Sequence, residues 1–263
     1  GVTFQAFNVD GWNGIDFLGY TDDKNTFLDS CTIQDASEAV YCASASPTIK
    51  NSTIKKNTEA IVCDSGSGPT ITNNIFTEID GYVIYIYASQ IDSNITGNTQ
   101  SNNSKGYVAV RGEQISIVSN TYDWLNPGMP YILDGHLSVY EDDNDKDGDE
   151  HAAVLKIYPG VTVKFQKEKY LKIGDDNSRH RGRLDAKGVT FTVTDTTDNA
   201  RWSGIDIRLG AVNDSTVLDS SVIEYADRGL EIFSNKAPTI KNNTIRYNSD
   251  YGIYSHDHEF ALR

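Results

Sequence analysis

Between Glu141 and Glu150 the chain reads Glu-Asp-Asp-Asn-Asp-Lys-Asp-Gly-Asp-Glu, a dense run of hard oxygen donors. Asp143, Asp145 and Asp147, followed by Gly148, reproduce the opening of a calcium loop. Such a loop brings alternate carboxylates onto one ion, and the glycine permits the sharp bend. The position expected to supply a bidentate glutamate is Val154, so Asp149 or Glu150 would have to complete the shell. The expected ligands are therefore Asp143, Asp145, Asp147 and Asp149, with Ca2+ as the ion; a solvated acidic loop is the competing reading. Ser178-Arg-His-Arg-Gly-Arg183 is a basic turn that reads either as an exposed turn or as a contact for an acidic loop of a second copy or an anionic glycan. His256-Asp-His-Glu259 has the i, i+2 spacing that shares one strand face, although its alignment with Asp64–Gly68 puts it in a turn. Five Asn-x-Ser/Thr sequons, at Asn51, Asn94, Asn102, Asn213 and Asn242, are acceptors for glycosylation if the chain is secreted; Asn51 and Asn242 also read as products of a repeated turn.

The elements that must position these groups are repeats. Gly1-Val-Thr-Phe4 returns at 188–191, Trp12-Asn-Gly-Ile-Asp16 as Trp202-Ser-Gly-Ile-Asp206, Leu28-Asp-Ser30 at 218–220, and Pro47-Thr-Ile-Lys-Asn51 at 238–242. These collinear matches make 188–263 a second copy of 1–72. Inside each copy, segments pairing an apolar residue, a polar turn and a second apolar residue recur every 20 to 22 residues, as at Leu28–Ile33, Ile49–Ile54, Ile71–Phe76 and Ile91–Ile95. That period, with strand-like alternation, predicts a solenoid of about 20–25 residues per coil. Val40, Cys42, Ile61, Cys63, Ile84 and Ile86 are expected inside, with Leu230 and Ile232 matching them in the second copy, and Tyr85 and Tyr87 outside. Those two tyrosines read as strand filler or as a strip for stacking sugars. Cys42 and Cys63 read as small apolar core residues or as a disulfide between adjacent coils. Ser52, Asn74, Asn94, Asn120 and Asn243 are expected to share one turn column.

Trp12-Asn-Gly-Ile15, Leu28-Asp-Ser30, Pro47–Asn51 and Gly252-Ile-Tyr254 resemble the right-handed parallel β-helix repeat proteins of bacterial and archaeal cell surfaces, within the pectate-lyase-like solenoid superfamily. Tyr158–Phe165, Tyr170–Gly174 and Gly182–Phe191 look like the lead-in before each helical block of those proteins. The resemblance implies an all-β, single-stranded right-handed parallel β-helix. It implies no single activity, because the architecture hosts lyases, hydrolases, epimerases, adhesins and structural proteins. The chain divides into block one (1–124), a connector carrying the acidic run and lead-in strands (125–187), expected to continue as irregular coils, and block two (188–263). Block one starts without a lead-in and block two stops part-way through a coil, so a longer array or end-to-end stacking is expected, unless the chain is a truncated piece.

With 263 residues, a formal net charge of −14 and a sequence pI near 4.7, the chain repels nucleic acid and suits a cation-rich exterior. No apolar run reaches the length that spans a membrane. Hydrolases of this fold need clustered carboxylates and lyases need a basic residue beside calcium ligands; neither set recurs on one predicted outer face. Asp16 and Asp206, equivalent in the two copies, read as scaffold. The expectation is a non-catalytic extracellular structural or surface protein that self-associates, as part of a surface layer, sheath or filament stabilised by calcium. The alternatives are a polysaccharide lyase or epimerase and a glycan-binding adhesin.

Overall fold

Alternating apolar and polar residues in short runs, each ended by a residue that tolerates a left-handed backbone, dictate strands too short to stand alone. They are stable only when the next coil covers them. The computed structural model describes residues 1–7, 11–116, 121–141, 152–212, 215–233 and 238–256. It divides into two units, 1–111 with 125–131, and 112–124 with 132–263.

In the first unit successive strands enter three different parallel sheets in turn. One contains Ile15–Leu18, Glu38–Ala43, Glu59–Cys63, Tyr82–Tyr87 and Lys105–Arg111; a second contains Thr3–Phe4, Thr32–Gln34, Thr53–Asn57, Ile75–Ile79 and Thr99–Ser101; the third contains Phe27–Asp29, Thr48–Lys50, Thr70–Thr72 and Ile95–Thr96. The second unit repeats the scheme. Its first sheet orders Gln114–Ile115, Leu137–Val139, Tyr170–Ile173, Gly204–Ile207, Arg228–Ile232 and Tyr251–Ser255. Each unit is a stretch of right-handed parallel β-helix.

The interior columns follow the alternation. Val40 pairs with Ile61 and Cys42 with Cys63, Ile61 pairs with Ile84, and all five are fully buried. Ile205 and Ile207 lie against Leu230 and Ile232 in the same way. Each such side chain contributes about 1.5–3 kcal/mol by leaving water. All three cysteines are free, so the Cys42–Cys63 column is thiol on thiol and not a disulfide.

The duplication extends to individual bonds. Trp12 Nε1 donates to the Gln34 carbonyl and Trp202 Nε1 to the Glu224 carbonyl, each at 2.9 Å. Gly14 and Gly204, two residues beyond, sit at φ 115° and 116°. A Cβ there would come within 1.6 Å of the Glu38 carbonyl oxygen and 1.7 Å of that of Arg228, which only glycine avoids. The Leu-Asp-Ser and Thr-Ile-Lys-Asn motifs prove to be halves of one clamp between coils. Asp29 accepts from Asn51 at 2.9 Å and pairs with Lys50 at 3.3 Å; Asp219 accepts from Asn242 at 3.0 Å and pairs with Lys241 at 3.3 Å.

Two expectations need correction. The buried amide column runs Ser52, Asn74, Asn98: Ser52 N–H donates to Asn74 Oδ1 at 3.0 Å, and Asn74 N–H to Asn98 Oδ1 at 2.9 Å. Asn94 is not in it. A short 3-10 turn at Ala88–Gln90 lengthens that coil, so Ile95, not Ile91, pairs with Ile71. Coil length also varies more than the expected period, since Ser138, Lys172 and Asp206 are in register at intervals of 34 residues.

Candidate functional site

The groups richest in chemistry lie on the outer surface of the second unit's first sheet. Inward Leu171, Ile173, Ile205, Ile207, Leu230 and Ile232 fix the register, which forces the intervening residues outward. The outward line therefore reads Ser138, Lys172, Asp206, Glu231, Tyr254, one residue per coil. Adjacent members are separated by the inter-strand spacing of about 4.8 Å.

Each charge on this line is engaged. Asp206 accepts from Arg208 Nη2 at 3.0 Å, while Arg208 Nη1 reaches Asp176 at 3.3 Å and the guanidinium lies 3.9 Å over the Phe233 ring. Glu231 is held by Arg228, which also reaches Asp250 at 3.1 Å, and by His256 Nε2 at 2.9 Å. His256 stacks on Phe233 with ring centroids 4.0 Å apart. Lys172 pairs with Asp175 at 3.0 Å, and Asp175 meets His180 Nδ1 at 3.3 Å. His136 stacks on Tyr170 at 4.0 Å; burial, with the Lys169 charge behind it, holds this imidazole below its ordinary value.

Asp206 is the perturbed carboxylate of the group. Burial pushes it above the usual carboxylate range, Arg208 pulls it back, and Glu231 one coil away pushes in the same direction as burial. Two carboxylates on neighbouring coils, one of them raised, have the chemistry of an acid and base pair. The sequence reading found no such cluster; Asp206 and Glu231 form one, and it is occupied by arginines.

The residues picked out from sequence fall as follows. Asp143, Asp145, Asp147 and Asp149 lie outside the described residues, as do Asn213, Asn120 and the segment after His256. Glu141 and Ala153, on either side of the acidic run, both donate their N–H groups to the Arg181 carbonyl, at 2.9 and 3.2 Å. That places the run's anchors on the basic turn Ser178–Arg183. Among the described residues no group of three or more His, Cys, Asp or Glu is placed to hold a metal ion. Asn51, Asn102 and Asn242 are exposed, each with positive φ. Asn94 is buried, and its amide donates to the Pro69 and Gln90 carbonyls at 3.0 and 2.9 Å, so a glycan cannot be attached there with those bonds intact. Tyr85 points outward beside Tyr82, 5.4 Å between centroids, and the Tyr87 hydroxyl accepts from Arg111 at 2.9 Å.

Stacked parallel coils with inward apolar columns and inter-coil clamps make this a parallel β-helix repeat protein. The family described as right handed beta helix region matches residues 2–122 of the chain. No curated protein and no solved structure matches it. No helix is long and apolar enough to cross a membrane among the described residues.

Proposed function

We propose that the protein is a non-catalytic extracellular structural or surface module, a rigid β-helical unit that associates with copies of itself in a layer, sheath or filament and takes calcium at Asp143, Asp145, Asp147 and Asp149. The observation that carries this reading is the saturation of the second unit's outer line. Asp206 and Glu231 each form an ion pair with an arginine of the same coil, which favours a scaffold role for this line. A net charge of −14 suits a calcium-bridged contact between copies. Electron microscopy of the purified protein across a calcium series tests it: ordered assemblies that dissolve on chelation are expected. Discrete monomers at every calcium concentration, together with null calorimetric titrations for the wild type and Asp145→Ala alike, would overturn it.

A second reading, a polysaccharide-active enzyme, is favoured by the adjacency of Asp206 to Glu231. Release of reducing ends or unsaturated products from neutral and acidic polysaccharides, abolished by Asp206→Asn and Glu231→Gln, would replace the first reading with it.

A further inference from the structure

A notch of about 420 Å³ opens at the turns of the second unit, lined by Lys167, Glu168, Asn199, Arg201, Asp227 and Ser249. Its size falls within the range of small-molecule sites. We propose that it binds a small zwitterion, a molecule carrying both a carboxylate and an ammonium group, of which a free α-amino acid is the simplest.

The lining carries two cations and two anions, so it is neutral as a whole within an acidic protein. Yet two of its charges are not paired off. Lys167 and Glu168 form an exposed ion pair at 3.6 Å, with side chains 68% and 75% exposed. The Arg201 guanidinium lies 5.6 Å over the Tyr225 ring and donates from Nη1 to the Ala200 carbonyl at 2.9 Å; its Nε–H is buried without an acceptor, and no carboxylate of the described residues pairs with it. Asp227 accepts the Ser249 hydroxyl on Oδ1 at 2.9 Å, and no cation of the described residues neutralises it. A lone anion would answer Arg201 and leave Asp227 without a cation, and a lone cation would do the reverse. A ligand with both charges answers both, and the guanidinium suits a carboxylate.

The walls are fixed in advance of any ligand. Glu168 N–H donates to the Arg201 carbonyl at 2.9 Å, Ser203 N–H to Lys169 at 2.8 Å, Asp227 N–H to Trp202 at 2.8 Å and Ser249 N–H to Ala226 at 2.9 Å. Glu168 and Asn199 hold left-handed backbones, at φ 64° and 53°.

The duplication supplies an internal control. Aligned on Trp12 and Trp202, the first copy has Gly11 where Arg201 stands and Ser37 where Asp227 stands. The same Trp-centred turn is built there without either charge, so folding does not require them.

The test is calorimetry, with saturation-transfer NMR, on the full chain, using L-alanine, L-glutamate and glycylglycine as probes and acetate and methylammonium as half-ligands. At least one zwitterion is expected to bind, with each half-ligand weaker by about tenfold or more. Arg201→Gly and Asp227→Ser, the residues of the first copy, should each weaken binding by about tenfold or more while far-UV dichroism stays unchanged. Arg201→Gln serves as a variant that keeps the side chain's bulk. Silence for all three zwitterions, acetate binding as tightly as the best of them, or unchanged binding in Arg201→Gln and Asp227→Ser would overturn the proposal.

Discussion

Asn74 is the most informative single residue on which to test the scaffold. It is 1% exposed, inside the first unit. Its Oδ1 accepts from Ser52 N–H at 3.0 Å, and its Nδ2 donates to the Ile49 carbonyl at 2.9 Å and to Asn98 Oδ1 at 3.2 Å. Replacing it by alanine strips the acceptor from a buried N–H and a donor from a buried carbonyl. Each loss costs about 1–3 kcal/mol, so Asn74→Ala should destabilise by about 2–6 kcal/mol. Asn98 loses less, because Asn74 N–H still donates to it at 2.9 Å. The coil before supplies the control: Ser52 Oγ accepts from Cys31 N–H at 3.1 Å and donates to the Lys50 carbonyl at 2.8 Å. A serine at 74 can therefore keep the acceptor for Ser52, and Asn74→Ser should cost only about 1–2 kcal/mol. Guanidinium unfolding followed by far-UV dichroism reads the difference, and hydrogen exchange at the Ser52 amide reads the site itself. If Asn74→Ala stays within about 0.5 kcal/mol of the wild type, or costs no more than Asn74→Ser, the interior amide column does not hold the coils together.

Trp202 is fully buried and stacked on Phe165 at 4.4 Å, whereas Trp12 is only half-buried, so Trp202→Ala should lose about 3–5 kcal/mol in chemical unfolding and Trp12→Ala clearly less; equal losses would contradict the packing. A hydrogen bond with Cys42, then burial, push the Cys63 thiol well above its ordinary value. Cys63 should resist iodoacetamide in the folded protein at pH 8 and react on unfolding, and rapid native labelling seen by peptide mapping would refute its placement. Hydrogen bonds from Asn242, then Ser220 and Lys241, hold the Asp219 carboxyl below its ordinary value. A depressed carboxyl stabilises the fold above the unfolded value and loses that contribution as pH falls through the folded one. Asp219→Asn should therefore flatten the acid limb of thermal stability below about pH 4, and an unchanged limb would show that the clamp carries no linkage.

Period-two alternation told the columns apart: Val40, Cys42, Ile61 and Cys63 line one interior because a one-residue slip would turn every one of them to solvent. The clamp was legible only in part. Leu-Asp-Ser and Thr-Ile-Lys-Asn stand out as motifs, but that Asp29 touches Lys50 depends on one coil's length, which the motifs themselves do not fix. The same weakness misplaced Asn94, because a single short turn at Ala88–Gln90 shifts the frame. The outer line escaped for a related reason. Lys172, Asp206, Glu231 and Tyr254 are separated by unequal intervals, so no fixed period connects them. A usable signal existed in the differences between the copies. Aligned on the tryptophans, Leu18 becomes Arg208, Glu38 becomes Arg228 and Tyr41 becomes Glu231, three changes of charge on one face of an otherwise kept scaffold.

Those substitutions permit a test of whether the outer lattice stabilises the second unit. Arg208→Leu restores the residue of the first copy and removes the cation from Asp206, whose side chain is 15% exposed. Breaking a buried pair costs about 3–5 kcal/mol; with Arg208 itself 23% exposed and Lys172 still adjacent, about 1–3 kcal/mol at pH 7 is expected. The sign with pH is the diagnostic part. The Asp206 carboxyl is already raised above 3.8, so the folded state holds a proton that the unfolded chain releases, and stability falls as pH rises through that window. Removing Arg208 raises the carboxyl further and widens the window. The penalty should therefore be largest at neutral pH and shrink towards pH 4, leaving a remainder from the lost stacking on Phe233 that does not depend on pH. Adding Asp206→Asn in the Arg208→Leu background removes the stranded charge and should recover most of the pH-dependent part. A loss equal at pH 4 and pH 7, or a double variant no more stable than Arg208→Leu at neutral pH, would mean that Asp206 is solvated despite its position and that the arginine serves only as a stacking group.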